Sequence, residues 1–100
     1  MFVHNVYFWL KDDLGEEGVA AFREGVQSLC KIPLVKSGHA GPPADTHRGV
    51  VDNSYSYGMV LVFDDKAGHD AYQVSDVHQK FVADHSYRWE RVLVYDIEAV

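Results

Sequence analysis

The chain has 100 residues, 47% of them hydrophobic and 24% charged, with a formal net charge of −6; this is the balance of one globular domain. The acidic charge and the lack of any Lys/Arg cluster argue against nucleic acid and anionic membranes as partners. A lone cysteine, Cys30, excludes an intrachain disulfide, and no apolar run reaches the ~20 residues of a membrane span.

The opening Met1-Phe-Val-His-Asn lacks the basic and apolar regions of a secretory signal, so a soluble, cytoplasmic protein is expected. Phe2 to Leu10 is a run of aromatics and valines interrupted by His4 and Asn5, and reads as a strand. Asp12-Asp13 and Glu16-Glu17 supply a capping signal and first-turn acids for a helix beginning near residue 15. Val19, Phe22, Val26, Leu29 and Cys30 recur at helical spacing to about Lys31, and Pro33 ends the helix. Leu34 to Ala40 reads as a weaker strand. Gly41-Pro-Pro-Ala-Asp opens a loop that runs on through Asp52-Asn53-Ser54.

Tyr55 to Phe63 is a second strong strand, and Asp64-Asp65 caps a helical region over 67–84, in one or two pieces, with Tyr72, Phe81 and Val82 on its apolar side. Arg88 to Glu98 reads as the last strand. The order βαββαβ is the α+β, ferredoxin-like unit, in a single domain over residues 1–100. Strands 2–10, 55–63 and 91–97 do not alternate cleanly between apolar and polar, which is the pattern of a sheet covered on both faces. Two helical segments cover one face only, so a homodimer with sheet packed on sheet is expected.

The chemistry-bearing residues cluster around Tyr72 and His78. A phenol and an imidazole that converge on one cavity can share acid and base work on a carbonyl compound; the same pair can also be half-buried side chains satisfied by neighbours or water. Strand parity puts His4, Val6 and Phe8 on one face, and Tyr57 and Met59 on one face of the later strand. If those faces look toward the helices, they and Phe81 line an apolar pocket with a few converging polar groups. There burial would favour a neutral histidine able to accept a proton, and Tyr72 could donate to a developing oxyanion. The bland readings are that His78 caps or bridges a helix break, Tyr72 is core with a wet hydroxyl, and His4 is a hydrogen-bonded core histidine. Trp89 and Tyr87 read as core or interface anchors. The six histidines show no close paired spacing of a zinc site, and no metal is expected. Nothing singles out a haem ligand, and the Gly41-Pro42-Pro43 loop lacks the N–H groups of a phosphate cradle.

Taken together, the His4 strand, the Ile32-Pro33 turn, the Asp70-Ala-Tyr72 to Val77-His78-Gln-Lys-Phe81 segment and the ending Arg91-Val-Leu-Val-Tyr-Asp96 resemble the stress-responsive dimeric α/β barrel (Dabb) family along essentially the full chain. The resemblance implies a barrel of two apposed four-stranded sheets. Most members have no defined activity. The best-defined biochemical relative is olivetolic acid cyclase, which closes a polyketide thioester without metal or organic cofactor. By that resemblance His78 matches a catalytic base, Tyr72 the group that polarises a carbonyl, and His4 a pocket histidine. The chain departs from that enzyme at Tyr57, where the cyclase has a histidine, at Gly25, where it has a tyrosine, and in the Gly41 to Asn53 loop. Three functions stay open: a homodimeric domain binding a small apolar carbonyl or aromatic ligand, a cofactor-independent cyclase or lyase, and a structural or interaction protein with a filled pocket.

Overall fold

A computed structural model describes all 100 residues. The order is β1 (Phe2–Leu10), α1 (Gly15–Leu29), β2 (Ser37–Gly41), β3 (Tyr57–Phe63), α2 (Lys66–Gln73), α3 (Asp76–His85), a short 3-10 turn (Ser86–Arg88) and β4 (Trp89–Glu98). The strands form one antiparallel sheet in the order β2-β3-β1-β4. This is the expected α+β, ferredoxin-like arrangement.

The period-two geometry of a strand decides which side chains meet the helices. β1 buries Phe2, His4, Val6 and Phe8, and β3 buries Tyr57, Met59, Leu61 and Phe63. α1 lays Phe22, Val26 and Leu29 on that face, while α2 and α3 add Tyr72 and Phe81. The opposite face carries Val3, Tyr7, Val60, Val62 and Leu93, all only half-buried, and Tyr95 and Ile97, which are exposed. The chain's own loop shelters one end of it: Trp9 Nε1 donates to Ser54 Oγ at 3.2 Å, and the Tyr55 ring meets Tyr7 edge-on at 5.0 Å. The broken alternation of the sequence therefore has a local cause, a second face that is apolar and bare.

Three local features depart from the sequence reading, each for a physical reason. Residues 34–36 are not strand but a turn after Pro33, with the Val35 N–H donating to the Ile32 carbonyl at 3.0 Å. β2 pairs only from Ser37, and Gly38 lies so close to α1 that a Cβ there would sit 2.6 Å from Cys30 Cα. Tyr55 precedes its strand: Ser56 makes the junction instead, its N–H donating to the Phe8 carbonyl at 2.7 Å and its Oγ accepting from the Leu10 N–H at 2.9 Å. Asp12 and Asp13 do not cap α1; its N-cap is Leu14 without a side-chain bond, and Gly15 enters at φ +69, a conformation that favours glycine. The 67–84 region takes the two-piece form of the expected alternatives, with the break at Val74-Ser75.

Candidate functional site

Between the sheet and α2/α3 lies a cavity of about 200 Å³. Val6, Phe8, Met59, Phe81, Trp89 and neighbouring aliphatics make it apolar, and His4, Tyr72, Gln73 and His78 bring the polar groups. Every candidate residue picked from the sequence lines it except Tyr57. That phenol turns toward α1, where its oxygen accepts from Gln27 Nε2 at 2.8 Å, its ring meets Phe22, and the Arg23 guanidinium stands 5.6 Å over it. Parity had grouped Tyr57 with Met59 correctly, but Tyr57 lies too far along β3 to reach the cavity.

The Ser75 break is what joins Tyr72 to His78. In an unbroken helix at 3.6 residues per turn, six residues leave two side chains about 120° apart around the axis. Here Ser75 is extended, its Oγ donating to the Tyr72 carbonyl at 2.7 Å and accepting the His78 N–H at 3.2 Å. That local bonding ends one helix and caps the next. The cap uses the backbone of His78, so its imidazole is free to face Tyr72: the ring centroids are 5.0 Å apart at 67°. His4 approaches Tyr72 from the sheet, with centroids 6.1 Å apart at 65°.

Burial sets the protonation states. It pushes the Tyr72 phenol well above its ordinary value, so Tyr72 remains a neutral donor. Burial also lowers the His78 pKa, helped by nearby His4 and opposed by the Gln73 carbonyl. His4 is lowered as well, because burial outweighs the hydrogen bond and charge of Asp96, whose Oδ1 lies 2.6 Å from His4 Nδ1. The site thus presents two neutral imidazoles and one neutral phenol.

These shifts make a stability prediction. A histidine with a folded pKa below 6.5 takes up a proton more readily unfolded, so its contribution is complete above that value and is lost as pH falls beneath it. His4, His78 and His85 all shift this way, through burial first. Urea midpoints are therefore expected to hold steady above about pH 7.5 and decline from pH 6.5 to 5, before carboxylate protonation begins. A flat profile over that interval would contradict the buried, neutral state of these rings.

Three partners of the site went unnoticed in the sequence: Asp96, Gln73 and His69. The β1–β4 register sets Asp96 opposite His4 across 92 positions of sequence. Gln73 Nε2 lies 3.4 Å from His4 Nε2 and 3.3 Å from His69 Nε2. The spacing of His69 and Gln73, four apart on one helix, was a signal that they share a face. Gly25, where the resemblance would set a tyrosine, faces His85; a Cβ there would collide with His85 Nε2. Tyr87, His39 and His47 are exposed and remote from the cavity lining. A second hollow of about 410 Å³ lies on the bare sheet face under the loop, among Tyr7, Trp9, Tyr55 and Tyr95. It is larger, but it lacks an imidazole, so the acid–base chemistry belongs to the smaller cavity.

A ferredoxin-like domain with a covered, imidazole-bearing cavity on one sheet face and a bare apolar surface on the other is the class this fold and site define. The chain belongs to the Stress responsive A/B Barrel Domain (Dabb) family, whose sequence model matches residues 2–99. Among solved structures it resembles a Dabb family protein from Mesorhizobium loti, with 23% identity, 99% of this chain and 96% of that one covered, and a TM-score of 0.79. A dimeric ferredoxin-like protein of unknown function from Thermobifida fusca aligns at 19% identity over 98% and 90% of the two chains, TM-score 0.79. The hydroxynitrile lyase of Passiflora edulis aligns at 17% identity over 99% and 93%, TM-score 0.81. At these identities the likeness is one of fold. No curated protein matches the sequence. No helix is long and apolar enough to cross a membrane.

Proposed function

We propose that this protein binds a small apolar carbonyl compound between sheet and helices and acts on it by acid–base catalysis without an organic cofactor. The observation that carries this reading is the meeting of Tyr72, His78 and His4 on one otherwise apolar cavity. Its volume, about 200 Å³, lies below the ~300–1,000 Å³ of drug-sized sites, so the buried portion of the ligand is compact. His78, neutral through burial, takes a proton from a carbon or hydroxyl next to the carbonyl. Tyr72 donates to the carbonyl oxygen as negative charge develops there, and His4, held by Asp96, orients the ligand from the sheet side. In carbon–carbon closure of a polyketide-like chain the carbon that gives its proton to His78 attacks a second carbonyl, whose oxygen takes the Tyr72 hydrogen bond. In cleavage of a cyanohydrin-like compound His78 takes the hydroxyl proton, the bond to the nitrile carbon breaks as the carbonyl forms, and cyanide leaves with that proton. The test is a panel of such compounds assayed for turnover and, separately, for binding. Binding without turnover on any of them would reduce the site to a receptor, and the absence of both would leave a structural domain with a vestigial pocket.

The same proposal includes a homodimer. Tyr95 and Ile97 are 60% and 54% exposed on the bare sheet face, next to half-buried Val3, Val60 and Leu93, and a partly apolar face of this kind favours a protein partner. A relative of the same fold is described as dimeric. Light scattering is expected to give twice the chain mass of 11.3 kDa, reverting to one chain on Ile97→Glu, which would place an unpaired charge in the contact. A monomeric native protein would remove the dimer from this reading without touching the cavity.

A further inference from the structure

The surroundings of Gln73 contain more than an acid–base site requires. Two imidazoles approach the same amide: Gln73 Nε2 is 3.4 Å from His4 Nε2 and 3.3 Å from His69 Nε2. Each ring presents its other nitrogen to a carboxylate, His4 Nδ1 to Asp96 at 2.6 Å and His69 Nδ1 to Asp70 at 3.0 Å. A donor amide between two acceptor nitrogens, with an Nδ1–H group on each carboxylate, gives all four ring nitrogens a partner. That is the tautomer in which Nε2 coordinates a metal, with a carboxylate behind each imidazole to fix its orientation and raise its basicity. His69 is further held by stacking on Phe2, with centroids 4.2 Å apart at 24°, and by the edge of Phe63. One nitrogen from each ring and one Asp96 carboxylate oxygen lie within 4.8 Å of one another.

We propose that His4 Nε2, His69 Nε2 and the Gln73 amide oxygen form a site for a divalent ion of the zinc and cobalt type. Imidazole suits these borderline ions, whose bonds to nitrogen are about 2.0–2.1 Å. Exchanging the two ends of the Gln73 amide brings its oxygen to the point both rings face. Asp96 and Asp70 remain on the Nδ1 atoms. Gln73 and His4 also line the cavity, so a fourth coordination position opens into it. Tyr72 and His78 are not ligands, and turnover by metal-stripped protein therefore tests the acid–base reading separately.

The experiment is titration of metal-free protein with Co²⁺, followed by its visible absorption bands, and with Zn²⁺ by calorimetry. One ion per chain is expected, with tetrahedral-type Co²⁺ bands that disappear in His69→Ala. Asp70→Asn, which leaves all three ligands in place, is expected to weaken binding on the order of 10–100-fold. Gln73→Glu, which puts a charged oxygen where the amide stands and removes no ring, is expected to tighten it. His47→Ala, at the exposed His47–Asp45 pair, is expected to change nothing. Circular dichroism establishes that each variant is folded. The proposal is overturned by the absence of stoichiometric binding, by binding that survives His69→Ala, by binding lost with His47→Ala, or by no tightening in Gln73→Glu.

Discussion

Replacing His78 with alanine is expected to slow turnover of the active carbonyl substrate by about 10²–10⁴-fold, the range of a general base. Ligand affinity should stay within a few-fold of the parent. The reason lies in how His78 is held. Its backbone, through Ser75 Oγ, makes the cap of α3, and alanine keeps that N–H. The imidazole is half-buried on the cavity wall, 5.0 Å from the Tyr72 ring, and removing it enlarges the cavity without opening the core. Burial lowers its pKa, so activity is expected to fall as pH drops through a value below 6.5 and the base becomes protonated. Measuring kcat and Kd for both proteins separates the roles. Equal loss of stability and affinity would mark His78 as structural, and unchanged kcat would remove it from the chemistry.

Phe22→Ala is expected to be the most damaging single truncation of the core, at about 3–5 kcal/mol. Phe22 has no exposed surface and its ring is a hub: Phe8 lies 5.0 Å away edge-on, and Phe81, Trp89, Tyr57 and His85 lie within 6.3 Å. It joins α1 to the sheet and to α3 in one contact set, so no single neighbour can move in to fill the space it leaves. Against the ~5–15 kcal/mol that holds a typical domain folded, this is a large share of the total. Urea unfolding at neutral pH measures it. A loss below about 1 kcal/mol would mean that the surrounding rings collapse into the gap, contrary to the rigid cluster described here.

The fold was legible because its signals are local. The valine and aromatic runs, the Asp65 cap that accepts the Gly68 N–H and the chain-stopping Pro33 each act within a few residues. The Tyr72–His78 pair was legible because both its members and the Ser75 that breaks the helix between them lie in one short stretch. Asp96 was not, since its partnership with His4 depends on the register of β1 against β4, which neither strand specifies alone. Nor could parity show where along β3 the cavity ends, and so Tyr57 was misplaced. The expected Asp12-Asp13 cap failed because the N-cap falls at Leu14 and Gly15 opens α1 in a left-handed conformation. The approach of His4 and His69 to one amide was not legible either, because the two rings come from a strand and a helix 65 positions apart.

Val92 and Val94 belong to the wall of the cavity, yet they are 43% and 44% exposed. β4 is an edge strand that the helices overhang without covering. The cavity thus has a front and a back. A ligand of the kind proposed above would enter across β4, over two valines and the Trp89 ring, and would meet His4, Tyr72 and His78 last. Only its leading end would be enclosed. The rest would lie along an apolar ledge open to water, so such a site would measure the head of a ligand closely and leave the length of its tail unrestricted.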